Sequence, residues 1–108
     1  MIIGLDQFEF EAPWTRCDPG LEIELKRELS REHMLYGVRA VSVAQRTDCD
    51  DVLFQLDNFR QPFAVVHLTW SGKPDLFPQF PSTTLFDSFE AWVENCMKLD
   101  SADWNIGN

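Results

Sequence analysis

Residues 62–73, Pro-Phe-Ala-Val-Val-His-Leu-Thr-Trp-Ser-Gly-Lys, narrow the choice of fold more than any other stretch. Eight consecutive positions, 63–70, are apolar or β-favouring and Ser71-Gly72 closes the run, which predicts a strand in the middle of a sheet. Two shorter candidates precede it. Residues 38–45 are rich in valine and alternate, and residues 52–57 alternate again, with polar turns at 47–51 and 57–62 between them. Neither connection is long enough for a crossover helix, so the three strands are expected to form an antiparallel meander.

Strand parity sorts the side chains. Val41, Val43, Val52, Phe54, Leu56, Ala64, Val66, Leu68 and Trp70 are expected to share one apolar face, with Trp70 plugging the core. The other face would carry Ala40, Ser42, Ala44, Leu53, Gln55, Asp57, Phe63, Val65, His67 and Thr69, a mixed set. Such a sheet places one face under helices and leaves the other partly open.

Two helices flank the meander. Leu21, Leu25 and Leu29 recur every four residues with charged residues between them, which predicts a helix over residues 19–32, capped by Asp18 and started by Pro19. His33 is expected to sit against its last carbonyls. Asp87-Ser-Phe-Glu90 reads as a capping box for a second helix over residues 88–99, with Phe89, Trp92, Val93, Cys96 and Met97 as its buried stripe. Between them, residues 73–84 carry Pro74, Pro78 and Pro81, predicting an extended, ordered loop that Phe77 and Phe80 pin to the body. Residues 1–5 would add a short edge strand. The fold class is therefore α+β, a two-layer sandwich of a three- or four-stranded antiparallel sheet with both helices packed on one face.

At 108 residues, 44% of them hydrophobic and with nine Phe and four Trp, the chain forms a single domain, residues 1–108, with a substantial core. Eighteen acids against nine bases give a formal charge of -9, which repels phosphate backbones and favours a basic protein as partner. Cys17, Cys49 and Cys96 are odd in number and contain no Cys-x-x-Cys, so reduced thiols are expected rather than a disulfide framework or a zinc site. Without a basic n-region and apolar stretch at the start, or any long apolar run, the expected location is cytoplasmic, away from membranes.

Little in the chain points to catalysis. His67 is one of two histidines and lies within reach of Asp57 or Gln55 on the neighbouring strand, yet no serine or cysteine has the context of a nucleophile. Asp48-Cys49-Asp50-Asp51 lacks the glycine and distal glutamate of a calcium loop, and its carboxylates oppose thiolate formation at Cys49, leaving a solvated acidic turn. No phosphate-binding glycine loop, nucleophile elbow or paired-cysteine motif is present, and no metal or cofactor is expected.

Ala64-Val-Val-His-Leu-Thr-Trp-Ser-Gly-Lys73, a proline-containing loop and Leu85-Phe-Asp-Ser-Phe89 together resemble short uncharacterised bacterial proteins that look like the immunity-type proteins accompanying secreted toxins. The resemblance spans residues 33–93 and implies a compact bacterial protein without catalytic residues. The functional expectation is a non-enzymatic binding module, an acidic inhibitor of a basic protein such as a toxin, with Asp48, Asp50, Asp51, Asp57, His67, Lys73 and Phe77 in contact with the partner. Self-association through the open face or an edge strand, giving a homodimer, is the second reading, and a small enzyme using His67 the third.

Overall fold

The computed structural model describes residues 7–17 and 19–107, in the order β1 (Trp14–Arg16), α1 (Leu21–Glu28), β2 (Ala40–Arg46), β3 (Asp51–Leu56), β4 (Phe63–His67), β5 (Thr83–Phe86), α2 (Phe89–Trp92), a π-helical turn (Val93–Met97) and α3 (Lys98–Gly107). The expected strand at residues 1–5 and the Asp18 cap lie outside the described residues. The fold is α+β. Its sheet is antiparallel throughout and has five strands in the order β1-β2-β3-β4-β5, so the predicted meander forms its centre and β4 is an interior strand. β1 and β5 are additions to the expected three or four strands. β5 begins at Thr83, inside the stretch whose prolines suggest only loop, and no strand is expected from the sequence at residues 14–16.

The helices line opposite faces of the sheet, which corrects the expectation that both pack on one side. Leu25 and Leu29 are buried with Val52, Phe54, Leu56, Ala64, Val66 and Leu68. Phe89, Trp92 and Met97 are buried with Trp14, Leu53, Phe63 and Val65 on the other face. Both faces of β3 and β4 are thus covered, and the run of apolar residues in β4 is the pattern expected of a strand buried on two sides. The second core is built on aromatic edges: Trp14 meets Trp92 at 5.1 Å and Phe8 meets Phe89 at 4.9 Å, each nearly perpendicular. Each large side chain buried in this way contributes on the order of 1.5 to 3 kcal/mol.

In β2 the expected parity of Val41, Ala40 and Ser42 is reversed, and a register shift between Ser42 and Ala44 accounts for it. Val43 is the extra residue, so Ala40 and Ser42 share the face of Phe54 and Leu56, and Val41 on the other face is 53% exposed. α1 begins at Leu21 behind Gly20 (φ 119) and ends at Glu28, four residues before the predicted end, because Leu29 is extended and residues 30–38 close three successive short turns. The second helix starts at Phe89, one residue later than the Asp87 cap implied, because Ser88 is its N-cap, with Ser88 Oγ accepting the Ala91 N–H at 3.0 Å. It runs on to Gly107, well past Leu99. No helix among the described residues is long and apolar enough to cross a membrane.

Candidate protein-binding surface

β4 stops at His67, and the chain leaves the sheet as a loop that rejoins it at Thr83. Two buried carboxylates on α1 hold the start of that loop. Glu28 is 1% exposed, and its Oε1 accepts the Thr69 N–H at 2.9 Å while its Oε2 accepts the Trp70 N–H at 2.8 Å. One turn earlier, Glu24 Oε2 accepts the Gly72 N–H at 2.9 Å. The spacing follows from the helix, since positions four apart stand one above the other on one face. Burial pushes the Glu28 carboxyl above its usual range, and its hydrogen bond to Glu24 pushes in the same direction. Glu24 is held below its usual range chiefly by that same bond, against the cost of burial and with help from the Gly72 N–H and the Arg27 guanidinium. The two carboxyls are thus displaced in opposite directions, Glu28 upward and Glu24 downward.

His33 holds the other end. The buried ring accepts the Leu35 N–H at Nδ1 (3.0 Å), so its proton is on Nε2, which faces the Pro81 carbonyl at 3.0 Å. Its role is thus to tie the loop to the α1–β2 connection, and this replaces the expected contact with helix carbonyls. Within the loop, Ser71 Oγ donates to the Lys73 carbonyl at 2.9 Å, and Phe80 N–H donates to the Phe77 carbonyl at 3.1 Å.

A loop fastened at both ends displays its apolar side chains to solvent. Trp70 is 53% exposed, Leu76 92%, Phe77 57% and Phe80 42%. Trp70 therefore does not plug the core, and the two phenylalanines do not pin the loop; Glu24, Glu28 and His33 perform that task. Trp70 also sits at φ 59, a left-handed conformation that a bulky side chain rarely adopts unless its surroundings impose it. The carboxylate bonds to residues 69, 70 and 72 are that imposition.

The other predicted contact residues divide between the two ends of the sheet. Asp51 and His67 are cross-strand partners, with Asp51 Oδ1 2.7 Å from His67 Nδ1. The antiparallel register places Gln55 opposite Phe63 instead, so neither Gln55 nor Asp57 is the neighbour of His67. Asp50 is exposed, and its carbonyl accepts the Leu68 N–H where the loop begins, so the acidic turn, His67 and the loop share one end. Asp57 is at the opposite end. Asp48 is engaged by Arg46 through two contacts of 2.8 Å, which keep its carboxyl below the usual range, and Arg46 also reaches Asp100 at 3.3 Å. Asp100 accepts the Trp14 indole N–H at 2.9 Å, tying this charged cluster to the second core. Lys73 and Phe77 are both exposed on the loop.

None of the three thiols forms a disulfide. Burial, then the Asp100 charge, pushes Cys96 up to about 12, and burial with the Asp51 and Asp48 charges pushes Cys49 up as well, so both stay protonated near neutrality. Among the described residues no group of three or more His, Cys, Asp or Glu is placed to hold a metal ion. Glu24 and Glu28 escaped the sequence reading because they were placed with the charged side of α1. A signal was present: Glu28 lies three residues after Leu25 and seven after Leu21, within the apolar arc. Comparison with protein-family models, curated proteins and solved structures returned no match.

Proposed function

We propose that this chain is a non-enzymatic protein-binding module whose loop between β4 and β5 docks on a basic partner protein. The observation that carries the reading is the fastening of an exposed tryptophan, in a strained backbone conformation, by two buried carboxylates. A preformed loop bearing Trp70, Phe77 and Phe80 has the composition of a binding hot spot, and pre-ordering it lowers the entropy lost on association. The charge of -9 steers a basic protein to that surface, with Asp50, Asp51 and His67 beside the loop base and Lys73 within it. An immunity-type inhibitor of a basic toxin fits this description and needs no catalytic group. Self-association is the second reading, favoured by the two edge strands β1 and β5.

Immobilised full-length chain, incubated with lysate of its source cells, is expected to retain a basic protein in stoichiometric amount at 50 mM salt. Raising the salt to 500 mM should weaken capture by at least about tenfold, because charge-steered binding is screened. Retention of the chain's own free copies alone, with no salt dependence, would favour the second reading and contradict the first.

A further inference from the structure

α1 bounds a cleft on the side away from the loop. Glu22 and Lys26 leave the helix about 200° from Glu24 and Glu28, taking 100° per residue between positions 24 and 26. They face the turn and strand entrance at residues 36–40 across a cavity of about 480 Å³. Leu29, Val38 and Ala40 form its floor; Lys26, Tyr36 and Arg39 stand around it. This volume lies within the range of small-molecule sites, roughly 300 to 1,000 Å³.

Its charge is opposite to that of the chain. Lys26 and Arg39 are exposed, and no ion pair engages either among the described residues. Glu22 lines the same cleft and offsets one of the two charges but pairs with neither cation, since its Oε1 is turned to β2, where it accepts the Ser42 N–H at 3.3 Å and the Ser42 hydroxyl at 3.1 Å. Burial opposes ionisation of Glu22, but these bonds and those from its own and the Gly20 backbone outweigh it. Asp57 lies in an adjoining hollow of about 290 Å³ that shares Arg39, and it makes no ion pair with that guanidinium. In a chain with twice as many acids as bases, two unpaired cations around an apolar floor and a half-exposed tyrosine form a site of definite chemistry.

We propose that this cleft binds a small amphipathic anion, an aromatic or aliphatic body bearing one carboxylate or phosphate. The body lies on Leu29, Val38 and Ala40 against the Tyr36 ring, and the anionic group sits between Lys26 and Arg39. This site is independent of the loop surface and survives if the loop has no partner.

Amide NMR spectra of the full-length ¹⁵N-labelled chain, titrated with phenylacetate, phenyl phosphate and neutral phenylacetamide, test the assignment. At least one anion is expected to shift the amides of residues 26, 29 and 36–40, with the tighter of the two fixing the head group. Phenylacetamide should bind at least about tenfold more weakly, and Lys26→Gln and Arg39→Gln should each weaken the anion about five- to tenfold at an unchanged melting temperature. Equal binding of the amide, indifference to both substitutions, shifts scattered outside the cleft, or no saturable shift would overturn it.

Discussion

Replacing Glu28 by alanine should lower the stability of the chain by about 3 kcal/mol, a fall in melting temperature of at least about 12 °C. The side chain is 1% exposed and receives the Thr69 and Trp70 amides, so truncation leaves a cavity and withdraws the acceptors of both donors. The Trp70 conformation then loses its support, and fluorescence of the loop tryptophan should report the release. Glu28→Gln keeps an acceptor and separates geometry from charge. The Glu28 carboxyl is raised in the fold, so its contribution is complete below the ordinary value of 4.5 and is lost as pH climbs through the raised one. Glu24 behaves oppositely: its carboxyl is lowered, so its contribution is present above 4.5 and is lost as pH falls through the lowered one. The stability of the native chain relative to Glu28→Gln should therefore decline as pH rises above 4.5, and chemical denaturation across that interval measures it.

Substitution of Trp70 by glycine should separate stability from binding. Glycine adopts φ 59 without the steric cost that tryptophan meets, so the variant should gain about 1 kcal/mol, about 4 °C in melting temperature. It should also lose at least about thirtyfold in affinity for the captured partner, and Phe77→Ala should lose a similar factor, since buried aromatic anchors contribute about 2 kcal/mol or more. Unchanged affinity in both variants would exclude the loop as the contact surface.

Much of the fold was legible in the order of residues, and the losses have identifiable causes. The alternation of residues 52–57 and the apolar run at 63–70 gave the central strands and their antiparallel pairing, because turns of that length permit no other connection. Alternation says that two faces differ without saying what covers each. Gln55, Asp57 and His67 made one face look wet, yet Leu53, Phe63 and Val65 at its middle lie under the second helical stretch. The bulge at Val43 could not be seen in a valine-rich segment, where either register presents apolar residues. Among the candidate contacts, Lys73 and Phe77 lie on the loop, and Asp51 with His67 form a pair that strand register alone determines. Glu24 and Glu28 were hidden because their partners are backbone amides more than forty positions away, and no residue type marks an amide as a partner.

Hydrogen exchange at the Thr69, Trp70 and Gly72 amides of the free chain tests most directly whether the loop is held ready by the carboxylate pair. Those three amides should exchange nearly as slowly as the Leu68 amide, which is bonded to the Asp50 carbonyl, and in Glu28→Ala they should lose protection together and by more than Leu68, whose exchange should quicken only by the loss of global stability. Rapid exchange at all three in the native chain would mean that the loop is not preformed.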